Sequence, residues 1–243
     1  MAVQVPCALC NRTDTHLVFR KFEHDIVCCN YCGLVYANPR MSVKSVLARY
    51  SAEYFWNEYL PAHGVKQGVY NLGHFDRHYR PMLALIRKNV GSPGRMLEIG
   101  TGAGFFLKTA ERAGWEATGL EISDEAVSFA RQELGLNVTK MHAEQLDYPD
   151  LAFDAVVMFE VIEHVFQPRH VLEKVHRVLR PGGVLMISTP NFDALSRIAL
   201  GKNWAVLSPG EHLYYFTEKT LKALLEVAGF RQIEFVRGQS SRD

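Results

Sequence analysis

Three observations predict an α/β protein: a doubly wound, mostly parallel sheet preceded by a small metal-binding module. From Arg95 onward, short apolar runs alternate with amphipathic stretches, the pattern of βαβ units. One of those runs, Met96 to Gly104 (MLEIGTGAG), ends in spaced glycines, where the backbone can come close to a ligand at a strand's carboxyl end. All five cysteines lie in the first 32 residues, which in a reducing compartment reads as metal ligation rather than disulfides.

Length and charge set the outer bounds. A chain of 243 residues with 48% hydrophobic side chains can bury a full core and still carry an appendage. Lysine and arginine number 27 against 26 acidic residues, so there is no basic excess to grip a nucleic-acid backbone or an anionic membrane. A small or locally charged substrate fits better. No apolar run approaches the roughly 20 residues that span a bilayer, and the N-terminus lacks the pattern of a secretory signal. The cytosol is the expected compartment.

Residues 1–40 form the expected module. Cys7-Ala-Leu-Cys10 and Cys29-Asn-Tyr-Cys32 are two C-x-x-C pairs separated by a stretch that can form a short hairpin. Four thiolates satisfy tetrahedral Zn²⁺, leave no open position for chemistry, and give a segment without its own core its folding energy. Cys28 lacks the two-residue spacing to Cys32 and is the spare, while His16 and His24 are decoys for the ligand set. A set of metal-free thiols is the competing reading. A nucleic-acid-binding ribbon is disfavoured, because Arg12, Arg20, Lys21 and Arg40 are balanced by Asp14, Glu23 and Asp25.

Residues 41–94 read as a helical linker or lid. A helix is predicted from Ser42 through Val43, Val46, Leu47 and Tyr50 toward Leu60. Its aromatics suit packing, with Tyr50 and Tyr54 as candidates to cover a cofactor. Gly64, Gly68 and Gly73 follow, and a second helix from about Phe75 to Asn89 precedes the turn Gly91-Ser-Pro-Gly94.

From residue 95 to 243 the expected strands are Arg95–Ile99, Glu116–Leu120, Asn137–Lys140, Phe153–Phe159 and Val184–Ser188. Helices fit near Phe105–Ala113, Asp124–Leu134, Arg169–Leu179 and Glu218–Ala228. A dinucleotide-binding loop would want Gly or Ala at 105, where this chain has Phe. Glu98, one residue before the strand ends, would repel a pyrophosphate but suits a ligand carrying an ammonium and a sulfonium. Glu121, 23 residues further on, is placed to accept hydrogen bonds from ribose hydroxyls.

These residues resemble the class I S-adenosylmethionine-dependent methyltransferase family. They comprise the acidic-x-Gly-x-Gly-x-Gly loop, Glu121, Glu144 after the third strand, and the run Arg177-Val-Leu-Arg-Pro-Gly-Gly183. The resemblance covers about Arg95 to Val236 and implies a Rossmann-like fold with S-adenosylmethionine as cofactor. It implies Glu98, Gly100, Gly102 and Gly104 around the methionine part and Glu121 on the ribose. Ala143, Glu144 and Gln145 would lie near the adenine, and Phe159 beside the methyl-transfer centre. His142-Ala143 departs from the family's frequent acidic-Ala pair at that point.

Glu160-Val-Ile-Glu163-His164 follows the fourth strand and looks like the start of a helix that would project Glu160, Glu163 and His164 on one face. The segment resembles that of ubiquinone-pathway and small-RNA O-methyltransferases, in which such a set with a later histidine holds a divalent cation. His212 is the candidate fourth ligand here. A cation such as Mg²⁺ or Mn²⁺ would lower the pKa of an attacked hydroxyl. Without metal, His164 or His212 could be the general base. The plain alternative is that both glutamates stabilise a helix N-terminus and His164 packs.

Thr189-Pro-Asn191-Phe, Gly201-Lys-Asn-Trp204 and His212-Leu-Tyr-Tyr-Phe216-Thr217 resemble a methyltransferase branch frequent in bacterial surface-polysaccharide and natural-product pathways, which implies Asn191, Trp204, His212 and Tyr214 facing substrate. One further strand near Gln232–Val236 is expected, without the family's usual closing antiparallel strand. Either the chain is truncated or its sheet edge is unusual, and an exposed edge invites pairing with another chain, a homo-oligomer among the options. The reading that results is O-methylation of a small-molecule or sugar hydroxyl. The alternatives are C- or N-methylation, RNA 2′-O-methylation, or a non-catalytic zinc-containing interaction module.

Overall fold

The computed structural model describes residues 3–66 and 68–236. In chain order its strands are β1 (Thr15–Lys21), β2 (His24–Cys29), β3 (Val35–Ala37), β4 (Arg95–Ile99), β5 (Glu116–Glu121), β6 (Val138–Lys140), β7 (Phe153–Phe159), β8 (Leu179–Ser188) and β9 (Tyr214–Tyr215). They form two sheets, within two compact units that each draw on separated stretches of the chain. No helix among the described residues is long and apolar enough to cross a membrane.

One unit comprises Leu47–Val161 and Arg177–Ser188. Its sheet runs β6-β5-β4-β7-β8 with every pairing parallel, as the alternating apolar runs predict. β4 sits at the centre, with Met96, Leu97 and Ile99 fully buried, and each such side chain contributes about 1.5–3 kcal/mol. The helix Phe105–Arg112 follows β4, and Asp124–Gln132 follows β5. The second is capped by Ser123, whose hydroxyl accepts the Ala126 N–H, with Asp124 and Glu125 in the first turn. The helix Leu72–Val90 is capped by Asn71 and packs on both Phe105–Arg112 and β8. An aromatic core of Phe55, Phe75, Phe105, Phe106 and Phe129 joins these helices.

The expected continuous helix from Ser42 toward Leu60 is corrected by the structure. Val43–Leu47 is helical, the backbone breaks, and Ser51 caps a new start by accepting the Tyr54 N–H. Phe55–Tyr59 then winds as a π-helical turn before Leu60–Ala62. Ser51 supplies the cap that favours a restart over continuation, and the wider turn moves the aromatics off α-helical register.

The other unit gathers the chain up to Val46, then Ile162–His176, and residues from Thr189 on. β1 and β2 form the expected hairpin between the cysteine pairs, and β3 and β9 extend it into an antiparallel sheet, β1-β2-β3-β9. Ile26, Val35, Phe192, Trp204, Leu207 and Tyr215 build its core. The sheet of the cysteine module thus takes a strand from beyond residue 210, so these units do not follow the serial division 1–40, 41–94 and 95–243. The helix Glu218–Val227 is closed by a Thr217–Thr220 capping box.

The strand expected at Gln232–Val236 is absent: Gln232 takes a left-handed φ of 55°, and Phe235 and Val236 are 40% and 64% exposed. A non-glycine residue at positive φ interrupts extended pairing at its first position. Residues 237–243, where the expected sheet edge would end, lie outside the described residues.

Candidate cofactor loop and histidine cluster

β4 delivers Glu98 and the glycine loop. Gly102 and Gly104 take φ of 53° and 89°, backbone states that only glycine adopts without cost. A Cβ at Gly104 would strike Leu136, and one at Gly102 would overlap the hydroxyl of Tyr59. Glu121 at the end of β5 accepts the N–H groups of Gly102 at 2.7 Å, Ile122 at 2.7 Å and Ser123 at 2.9 Å. Burial pushes its carboxyl above the usual carboxylate range, while those three N–H groups pull against the shift.

Glu98 is 3% exposed, and its Oε2 has no hydrogen-bond partner among the described residues. Burial, and then the nearby Glu121, hold its carboxyl well above the usual range. A buried carboxyl oxygen left without a partner is costly, and an ammonium group is a partner that satisfies it. Two buried carboxyls and a glycine turn at adjacent parallel strand ends fit a nucleoside ligand with a cationic amino-acid tail.

Among the tyrosines of this stretch, Tyr59 contacts the glycine loop. Its hydroxyl accepts the Ala103 N–H at 3.3 Å, whereas Tyr50 and Tyr54 pack edge to face on each other at 6.0 Å. Tyr79 is a second residue the sequence reading passes over. It stacks on Phe159 at 6.4 Å, and its hydroxyl feels the Glu98 carboxyl after the larger effect of burial. Half-buried Phe159 also meets the edge of Phe106 at 4.9 Å. Ala143–Gln145 forms a 3₁₀ turn after β6, partly exposed at Ala143 and Glu144.

The Glu160–His164 segment is not helical, which corrects the expected shared face. Glu160 has a left-handed φ of 52°, and residues 162–164 form a turn. The Glu160 carboxylate accepts the Ser188 hydroxyl at 2.8 Å. Glu163, His164 and His212 do converge, with one ligand atom from each lying within 4.8 Å of the others. Glu163 is 1% exposed, and its Oε2 accepts the Thr189 hydroxyl at 2.9 Å. Nδ1 of His164 lies 3.0 Å from the Glu211 carbonyl, and Nδ1 of His212 lies 2.8 Å from that of Val206. A carbonyl only accepts, so each Nδ1 donates there, and in the neutral imidazole Nε2 is the acceptor or ligand atom.

Two imidazoles tethered to carbonyls beside a tethered carboxylate form a donor set suited to a divalent cation with open positions. Of the other expected substrate-side residues, Trp204 is 5% exposed in the core of its unit, and the Tyr214 hydroxyl donates to the Phe166 carbonyl at 3.1 Å. The Asn191 side chain accepts the Asp193 N–H at 3.0 Å.

The sulfurs of Cys7, Cys10, Cys29 and Cys32 also lie within 4.8 Å of one another, with Cys7–Cys32 at 3.4 Å and Cys10–Cys29 at 3.5 Å. Cys28 stays outside, its thiol 3.7 Å from the Cys29 carbonyl.

A family model described as a methyltransferase domain matches residues 73–234, two thirds of the chain. The chain belongs to this methyltransferase-domain family. A probable S-adenosylmethionine-dependent methyltransferase of Mycolicibacterium smegmatis is 31% identical over 136 residues, which are 56% of this chain and 51% of that protein. The chain therefore spans about half the length of that relative. A ubiquinone biosynthesis O-methyltransferase of Ruegeria pomeroyi is 29% identical over 176 residues, 67% of each chain. The solved structure of a SAM dependent methyltransferase from Archaeoglobus fulgidus matches with a TM-score of 0.55 at 26% identity, covering 67% of this chain and 70% of that one. Fold and family are those of a class I, S-adenosylmethionine-dependent enzyme.

Proposed function

We propose that the chain transfers a methyl group from S-adenosylmethionine to a hydroxyl of a small molecule or sugar, with Glu163, His164 and His212 serving the acceptor. The observation that carries this reading is the convergence of those three side chains within 4.8 Å. Glu98 would pair with the donor's ammonium, Glu121 with its ribose, and Tyr59 would close over Gly102. A sulfonium donor supplies an activated methyl that needs only a deprotonated acceptor. The chain's own task is then to hold that hydroxyl and take its proton. Nε2 of His164 or His212 would take that proton, each ring being oriented by its Nδ1 on a carbonyl. A divalent cation at the same three residues would lower the hydroxyl's pKa. Similarity to a protein named as a ubiquinone biosynthesis O-methyltransferase supports oxygen as the acceptor atom. The four cysteines are assigned a structural Zn²⁺.

The reading is tested by incubating the protein with labelled S-adenosylmethionine and a panel of catechol, phenol and sugar acceptors, with and without added Mg²⁺ or Mn²⁺. Methyl transfer to oxygen that falls in His212→Gln and Glu163→Gln supports it. Transfer confined to nitrogen or carbon acceptors overturns it.

A further inference from the structure

We propose that a metal held by Cys7, Cys10, Cys29 and Cys32 positions His212 against Glu163 and His164, acting through β3 and β9. The proposal rests on the reading that the four cysteines bind metal.

The second cysteine pair sets where β3 begins. The Gly33 N–H donates to the Cys29 carbonyl at 3.0 Å, and the Cys29 N–H to the Leu34 carbonyl at 2.9 Å, so the turn that presents Cys29 and Cys32 leads directly into Val35. β3 then pairs on both sides. Cys28 lies opposite Val35 on one edge, and Tyr215 and Tyr214 lie opposite Val35 and Tyr36 on the other. The Ala37 N–H adds a bond to the Leu213 carbonyl at 3.0 Å.

The same two residues then hold Glu163. The N–H groups of Leu213 and Tyr214 donate to the Glu163 carbonyl at 2.8 and 3.2 Å. His212 is the next residue back along the chain. β9 is two residues long and, among the described strands, pairs only with β3. A strand that short has no stability of its own, so β3 is one of the supports that fix its position, beside the bonds to Glu163 and from Phe192 to Phe216. Tyr36 reinforces the link: it is 1% exposed, and its ring packs 6.3 Å from that of Tyr214. Val35 already packs with Ile26 and Tyr215 in the core of this unit, and a metal at the four sulfurs would add a covalent cross-link at the turn that feeds β3.

Release of the metal should therefore loosen β3, then β9, then the placement of His212 relative to Glu163 and His164. The module would serve as a splint for the histidine cluster rather than an independent appendage.

The test uses the full chain with isotope-labelled histidine, prepared with one zinc per chain, and reads imidazole resonances together with zinc content by elemental analysis. Cys32→Ser should lose zinc and shift the His164 and His212 resonances by more than their linewidths, leaving His74 and His78 in place. Ala37→Pro keeps every cysteine and removes the bond to Leu213. It should retain zinc and still shift His164 and His212. Zinc loss with both resonances unmoved, or Ala37→Pro with both unmoved, overturns the positioning role while the zinc reading stands. Wild-type protein that neither contains nor takes up zinc removes the zinc reading and the proposal together. If Cys32→Ser does not fold, wild-type protein stripped of zinc by a chelator is read in the same way, and unmoved His164 and His212 resonances there overturn the positioning role.

Discussion

The Gly102 N–H donates to Oε2 of Glu121 over 2.7 Å, tying the glycine loop of one strand to the carboxylate at the end of its neighbour. Ile122 and Ser123 donate to the other oxygen of the same group. A carboxylate offers about four acceptor directions, so about one is left for a ribose hydroxyl unless Gly102 lets go. Glu121→Gln replaces one of these acceptors with a donor. Charged hydrogen bonds are worth about 1.5–3 kcal/mol, so S-adenosylmethionine affinity is expected to fall about ten- to a hundredfold. Calorimetry checks this, and unchanged affinity would take Glu121 out of the site.

Tyr59 and Gly102 are expected to be coupled. A Cβ at 102 meets the Tyr59 hydroxyl and must also adopt a left-handed backbone, which costs about 1–2 kcal/mol. Gly102→Ala should therefore weaken cofactor binding about tenfold or more. Tyr59→Phe in the same background should recover part of the loss, since it removes the overlapping oxygen. Strictly additive effects in the double-mutant cycle would contradict the contact.

Glu98 gives a pH dependence whose sign is determined by burial. Its folded pKa is raised above the ordinary 4.5, so the protonated form is the one the fold prefers. The associated stability is fully present below pH 4.5 and is lost as pH rises through the folded value. An ammonium beside Glu98 favours the charged carboxylate, so cofactor binding inside that window should release a proton. Titrations in buffers of different ionisation enthalpy measure the release, and Glu98→Gln should abolish it. Wild-type binding without proton release across that window would separate Glu98 from the cofactor's amino group.

Thr189 offers a milder probe of the histidine cluster than removal of a ligand. Its hydroxyl orients Glu163 at 2.9 Å, and losing such an outer partner typically costs ten- to a hundredfold in metal affinity. Thr189→Val should weaken Mn²⁺ binding by about that factor, read by paramagnetic relaxation of water protons. Equal Mn²⁺ affinity in Thr189→Val and wild type would argue against a cation at Glu163.

The parallel sheet and the glycine loop were legible because their constraints are local. Spaced glycines at the end of an apolar run, followed by a carboxylate 23 residues on, leave few other structures. The four cysteines were legible for the same reason, since C-x-x-C spacing nearly fixes the sulfur positions. What escaped depended on packing. Tyr59 reaches the loop only because Phe55–Tyr59 is a π-helical turn, and Ser51 was the sole hint of a restart. β9 is too short to carry any periodic signal, so its union with β3 could not be read. At Glu160 a left-handed residue replaced the expected helix start, and the group that converges comprises Glu163, His164 and His212.

The central claim is that the loop from Glu98 to Gly104 binds S-adenosylmethionine, and isothermal calorimetry tests it most directly. One cofactor should bind per wild-type chain, and binding should disappear in Gly102→Val, whose circular dichroism should remain that of wild type. Wild-type protein that binds no S-adenosylmethionine, or Gly102→Val protein that binds it as tightly as wild type, would contradict the account.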